Sequence, residues 1–487
     1  MEKEKNEKGM VRSLGLIDAT MLVAGSMIGS GIFIVSADMS RMTGCTGWML
    51  ALWIISGLIT VMAALSFGEL AGMMPKAGGQ FVYIQRAWGN LTSFLYGWTV
   101  FAVIQTGVIA AVAVAFAKYT AVFFPAVSPD NVIINAGFIK ISAAQLLAMA
   151  LIFFLTWFNT QGVSGGKKVQ TVFTLAKLIA LFALIVFGIT IGLKSDLLSQ
   201  NFTNMWDAVQ TSKIDGNWVS TNITGFALLL ALGTAIIGSL FSSDAWNNVT
   251  FIAGEIKEPH KNIPRSLLLG TVVVTGLYFL ANISYLSLLP LHGNPDATDV
   301  LGQGIQFAGA GTDRVGTAAA SMIFGDESVY LMAALIMVST FGCSNGIILA
   351  GARVYYAMAK ENLFFKKAEK LNNNGVPEYA LWIQAIWASL LCLSGTYGDL
   401  LDYTTFASLL FYIVTIAGLF VLRKKEPNAD RPYKVFAYPI LPSLYIVVAA
   451  AICIILLYTK PQNTWSGLGI VALGLPIYFA FFKPKAV

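Results

Sequence analysis

The sequence predicts an all-α integral membrane protein of twelve transmembrane helices, and three observations carry that prediction. Of 487 residues, 56% are hydrophobic and only 11% charged, against roughly 25% charged in an average soluble domain. Apolar stretches long enough to cross a bilayer recur along the whole chain. Two of them are interrupted by glycine, serine or aspartate where a spanning helix should run on. Each backbone amide in hydrocarbon needs a hydrogen-bond partner, so irregular backbone at bilayer depth survives only where protein, water or a bound solute satisfies it.

In order along the chain, a window of about 19 residues places spans near 14–40, 47–72, 91–123, 142–160, 169–192, 224–254, 266–290, 329–358, 380–396, 402–422, 438–458 and 465–482. The tail at 1–13 is charged and shows no removable signal peptide. Lys and Arg concentrate in that tail, in the even-numbered connections and in the short tail 483–487, so the positive-inside rule puts both termini in the cytoplasm. The net charge of +6 follows from this one-sided distribution and requires no nucleic-acid partner. The longest connections, near 193–223 and 291–328, are rich in Gly, Asp, Asn and Thr and do not read as separate domains; 14–482 is one membrane domain. Cys45, Cys343, Cys392 and Cys453 are dispersed without paired spacing and read as small apolar fillers.

The first break is Gly25-Ser26-Met27-Ile28-Gly29-Ser30-Gly31-Ile32-Phe33, and the second is Phe241-Ser242-Ser243-Asp244-Ala245-Trp246 in span six. Broken helices in corresponding positions of two five-helix halves point to an inverted-repeat secondary transporter, with repeats at about 14–192 and 224–422, two extra helices at about 438–482, and a midplane site. The half-helix beginning near Ile32 offers free N–H groups and a positive dipole end, which suit a carboxylate. Those ending near Ala24 and Leu240 offer free carbonyls, which suit an ammonium. An α-amino acid carries both groups on one carbon.

At these residues the chain resembles a known family. Gly25 to Phe33, Phe67-Gly68-Glu69-Leu70 through Lys76-Ala77-Gly78-Gly79, Phe173 to Leu181, Phe241 to Asn247, Gly254-Glu255-Ile256-Lys257 and Asn262-Ile263-Pro264-Arg265 look like the L-type amino acid transporter family of the amino acid/polyamine/organocation superfamily. The chain is more similar to its prokaryotic members. The resemblance implies a leucine-transporter-type fold, alternating access and sodium-independent exchange of amino acids. It implies that Ser30 and Gly31, with Gly29 and Ser26 beside them, meet the α-carboxylate. The carbonyls of Met27 and Phe241 would meet the α-amino group, with Phe241 as outer gate. Lys177 would stand where sodium-coupled relatives of this fold hold a sodium ion. Two features depart from the family. Asp244 replaces a glycine common among members, as in some that accept cationic substrates. The segment Phe124 to Ile141 lacks the cysteine by which animal members bind a partner glycoprotein, so no disulfide-linked heavy chain is expected.

Each feature also has a plainer explanation. Gly25 and Gly29 could form a packing face, but Ser30 and Gly31 extend the cluster beyond a pair. Trp246 fits a core aromatic as well as a substrate contact. Ser243 and Asp244 fit backbone capping as well as ligand binding. Lys177, an ammonium within an apolar span, points to function or a functional pairing. Glu69 reads as a cytoplasmic-gate or surface residue, and Glu255 to Arg265 as the end of helix six with Pro259 and Pro264 as breakers.

Enzyme chemistry finds little support. Gly162-Val163-Ser164-Gly165-Gly166 matches GxSxG but sits between apolar helices, not on a strand-to-helix elbow. With only His260 and His292, no His-rich metal site or Ser-His dyad is expected, and without HExxH or a P-loop neither metalloprotease chemistry nor ATP-driven pumping is. The sequence therefore predicts an exchanger of L-amino acids, neutral ones above all, with no cofactor and no metal, in lipid, in a bacterial cell membrane. A proton-coupled amino acid symporter is the alternative within transport. A membrane amino acid sensor is the alternative outside it, disfavoured by the absence of an attached signalling domain.

Overall fold

A computed structural model describes residues 12–135, 140–214, 217–309, 313–325, 327–393 and 397–482, with backbone alone at 140, 163–171, 211–214, 217–218, 328 and 397. The expected tails, apart from Arg12 and Ser13, and the side chains of Val163 to Gly166 lie outside the described residues.

The first apolar stretch is divided. Helix α1 (Leu16–Met27) stops at Ile28, a 3-10 turn covers Gly31–Phe33, and α2 (Val35–Thr43) follows. Then come α3 (Thr46–Met73), α4 (Gln80–Trp88), α5 (Asn90–Thr120), α6 (Ala143–Thr160) and α7 (Val163–Gly192). The second half begins with α8 (Gly225–Ser242), which gives way to an irregular stretch and a short turn at Asn248–Phe251. It continues through α9 (Pro259–Leu288), α10 (Val315–Phe324), α11 (Ser328–Lys360), α12 (Glu378–Leu391), α13 (Tyr397–Lys425), α14 (Ile440–Thr459) and α15 (Pro461–Ile477).

Among the described residues, ten helices are long and apolar enough to cross a membrane. The expected spans one and nine stand outside that ten, the first because it is in pieces and the ninth because α12 has 14 residues. Among the described residues, two antiparallel hairpins lie in connections between the helices. They are β1 (Val132–Asn135) with β2 (Lys140–Ser142), and β3 (Val209–Ile214) with β4 (Asn217–Asn222). Outside the hydrocarbon, short strands can pair with each other and leave their outer edges to water.

Burial follows the solvent. On α3, Ile54, Ile55 and Leu58 are exposed while Trp53, Ser56, Gly57 and Thr60 are buried, so one apolar face meets lipid and the small and polar residues face the bundle beside Trp53. Close approach depends on those small residues: a Cβ on Gly57 would collide with Thr275 of α9, and one on Gly270 of α9 with Val23 of α1. Helix α9 thereby packs on α1 and α3, and also on α7, while α11 packs on α1, α5 and α7. The break after α1 is caged by α7, α9 and α11. In α5, the π turn Val100–Ile104 displaces the backbone ladder. Thr106 Oγ1 then donates to the Phe101 carbonyl at 2.7 Å and Trp387 Nε1 to that of Ala102 at 3.0 Å.

Candidate functional site

At the end of α1 the glycines let the chain turn away from the helical ladder. Ile28 N still reaches Ala24 O at 2.9 Å, but Gly29 N turns to Met27 O at 2.8 Å, which strips Gly25 O of its helical donor. Lys177 Nζ supplies the missing donor at 2.5 Å and also reaches Ile28 O at 2.6 Å. Ser339 Oγ of α11 adds contacts to Ile28 O at 3.1 Å and Gly29 O at 3.3 Å, and the Cys343 thiol donates to Ser26 O at 3.1 Å. The carbonyls of the first half-helix are thus satisfied by side chains from two other helices, α7 and α11. Lys177 is 1% exposed, so its ammonium is held by oxygen dipoles in place of water.

The second break is joined to the first. The Tyr278 hydroxyl of α9 lies 3.0 Å from both Met27 O and Ser242 O, so one proton is shared between the carbonyl ends of two helices. Gly31 packs on Ser242: a Cβ there would fall on the Ser242 side chain and within 3.0 Å of its Cα. After Ser242 the chain leaves the helix through Ser243, and Ala245 takes a positive φ of 64°, unfavourable for a residue with a Cβ. This turn aims Asp244 at α13, where Tyr412 OH donates to Oδ1 at 2.5 Å and Ser408 Oγ to Oδ2 at 3.4 Å.

The structure brings Ser26, Met27, Gly29, Ser30 and Gly31 together at the first break, beside Phe241 and Ser243 at the second. It differs from expectation over the free carbonyls. Met27 O already accepts from Gly29 N and Tyr278, and Phe241 O accepts from Asp244 N at 3.1 Å, so neither stands open in this conformation. Ser26 Oγ, by contrast, is buried without a partner. Trp246 is 2% exposed and lies edge-on to Phe67 at 4.9 Å and tilted against Tyr412 at 5.3 Å, part of an aromatic cluster behind the break.

Glu69 is no surface residue: it is fully buried, takes a two-pronged pair from Arg423 at 2.9 and 2.6 Å, and accepts from Val435 N at 2.8 Å. Arg353 of α11, which the span reading passed over, is likewise buried and meets Glu255 at 3.2 Å. Toward the other end of the bundle, Arg41 bonds Asp313 at 2.7 Å and Gln306 O at 2.6 Å. Other groups missed from sequence are Tyr278, Ser339, Gln80 and Tyr412. Gln80 uses all its hydrogen-bonding capacity, donating to Thr415 and Phe411 O and accepting from Tyr96 and Asn247. A glutamine beside an apolar span was the available signal. Among the described residues no cluster of three or more His, Cys, Asp or Glu could hold a metal ion.

Comparison with known proteins matches residues 14–482 to the amino acid permease family. The human large neutral amino acids transporter small subunit 2 is 29% identical over 96% of this chain and 80% of its own length. The human b(0,+)-type amino acid transporter 1 is 27% identical over 99% and 90%. The serine/threonine exchanger SteT of Bacillus subtilis is 28% identical over 99% of both chains. These relatives are membrane transporters and not enzymes, and the L-type resemblance read from the motifs agrees with them. With a family match that spans nearly its whole length and takes in both helix breaks, the chain belongs to the amino acid permease family, a multi-pass membrane protein that carries amino acids.

Proposed function

We propose that the protein exchanges L-amino acids with neutral side chains across a bacterial cell membrane, without sodium, by alternating access between twelve spans in a five-plus-five inverted repeat. Both termini face the cytoplasm, and it works without a disulfide-linked heavy chain. The observation that carries this reading is Lys177 on the Gly25 and Ile28 carbonyls. A permanent internal cation at the broken helix removes the need for a bound one, and its tether to α7 couples the tilt of α1 to the rest of the bundle. The substrate carboxylate would lie against the first N–H groups of the Gly31–Phe33 turn, near Ser26, Gly29 and Ser30. Its ammonium would take the place of the Tyr278 proton on Met27 O, beside Phe241 and Ser243, with Asp244 and Trp246 toward the side chain.

Counterflow in proteoliposomes tests this. Labelled alanine, serine or leucine should enter vesicles preloaded with unlabelled amino acid, in sodium-free medium, and enter empty vesicles poorly. Equal uptake into both rejects exchange. The second reading, proton-coupled symport, rests on the same buried ammonium acting as proton carrier, and a strict requirement for an inward proton gradient would favour it.

A further inference from the structure

Behind the second break lies a cavity of about 20 Å³, space for about one water. Its polar lining includes Gln80, Tyr96, Gln105, Asp244, Asn248 and Tyr412. Most of this lining is committed: Gln80 is saturated, Tyr96 donates to it, and the Gln105 amide donates to Ile347 O at 2.8 Å. Two groups differ. Asn248 is 1% exposed and its Nδ2 has no hydrogen-bond partner. Asp244 accepts a short bond from Tyr412, a bond from the Ala245 backbone N–H and a long one from Ser408, and a carboxylate with about four lone-pair sites still has capacity to accept one more. A donor without an acceptor inside a dry protein costs free energy unless something arrives to accept from it.

We infer that Asn248 and Asp244 form a donor–acceptor subsite that selects transported amino acids whose side chain carries a hydroxyl or a carboxamide. This rests on the proposed exchange function. A hydroxyl or carboxamide can accept from Asn248 Nδ2 and donate to Asp244 at once. An alkyl side chain does neither and leaves the amide orphaned. An ammonium or guanidinium donates to Asp244 but cannot accept from Asn248, and a carboxylate is repelled by Asp244. The size of the cavity favours the short members of the class, serine, threonine and asparagine, whose polar atom takes the place of one water. Asn248 acts as a specificity determinant, one short turn beyond the break that holds Asp244.

The test is the ratio of half-saturation constants for matched pairs in counterflow: serine against alanine, threonine against valine, asparagine against leucine. The parent should prefer the polar member of each pair. Asn248→Leu and Asn248→Ala should shrink that preference roughly three- to tenfold, the worth of one hydrogen bond. Asn248→Ser, which keeps a donor, should restore part of it. A general loss of activity cancels in the ratio, and if the leucine variant does not fold, the alanine and serine variants decide. A preference unchanged in Asn248→Ala overturns the inference, as does a parent that favours lysine or arginine over serine. Failure of every amino acid to drive counterflow would instead overturn the exchange function on which it rests.

Discussion

Lys177→Met removes the ammonium from the first helix break while keeping an unbranched side chain in its slot. Of the two carbonyls it serves, Ile28 O would keep Ser339 at 3.1 Å. Gly25 O would keep nothing, since its helical donor, Gly29 N, is turned to Met27 O. A buried acceptor left bare costs about 1–3 kcal/mol, and a bond to a charged donor contributes about 1.5–3 kcal/mol. Taking about 2 kcal/mol, the balance between this closed arrangement and those in which α1 has moved shifts by roughly thirtyfold, at 1.4 kcal/mol per factor of ten. A carrier must pass through both, so exchange should fall by about one to two orders of magnitude. The measurement is the initial rate of counterflow in proteoliposomes, beside thermal unfolding of the detergent-purified protein to establish that the variant folds. A folded Lys177→Met or Lys177→Ala protein exchanging at the parent's rate would refute the reasoning. Retained exchange with lost proton-driven accumulation would move Lys177 to the role of proton carrier.

Gly31→Val should abolish substrate binding, because its branched Cβ cannot share space with Ser242; equilibrium binding at the parent's affinity in a folded variant would show the carboxylate site to be elsewhere. Tyr278→Phe deletes a hydroxyl that reaches both breaks, so it should cost about 1 kcal/mol of stability and slow exchange, and an unchanged melting temperature and rate would show that the shared proton does not hold the breaks together. Asp244→Asn should weaken recognition of any lysine or arginine the protein accepts more than that of leucine, because a cation loses a charge-assisted contact and an alkyl side chain has none to lose. Competition across side-chain charge reads this, and equal loss for all substrates would reassign Asp244 to holding Tyr412 and the break in place.

Both breaks were legible in the sequence because glycine, serine and aspartate at bilayer depth contradict a continuous helix. Lys177 was legible for the same kind of reason: a charge in an apolar span demands an explanation. The side chains that complete the site were not. Tyr278, Ser339 and Cys343 are ordinary residues for a membrane helix, and only the rotation of α9 and α11 about their axes decides whether their polar atoms meet a carbonyl or their own backbone. Gln80 and Asn248 sat in plain view, but their consequence depends on which partners the packing supplies. The state of the site was equally hidden. The sequence placed free carbonyls near Ala24 and Leu240, and the resemblance implied those of Met27 and Phe241 for the α-amino group, whereas in this conformation Gly29 N and Asp244 N fold back onto Met27 O and Phe241 O. The hairpin Val209–Ile214 with Asn217–Asn222 was missed because its composition is that of a polar loop, and strand pairing there depends on register rather than on an apolar face.

The manner in which α1 is satisfied also fixes when it can be finished. Its carbonyls wait for Lys177, 152 residues downstream of Gly25, for Tyr278, 251 beyond Met27, and for Ser339, 311 beyond Ile28. As the chain emerges and inserts from its N-terminus, the first segment enters lipid long before these donors exist. Until then it must either continue its helix through the glycines or keep its open carbonyls near water. The native break is thus a late event in biogenesis, closed only when α11 docks against α1, and contacts this distant in sequence are slow to form. A nascent chain arrested after α9 would carry Lys177 and Tyr278 but leave Ser26 O and Gly29 O without Cys343 and Ser339, and its first helix should be more accessible to labelling at Ser26→Cys than in the full-length protein.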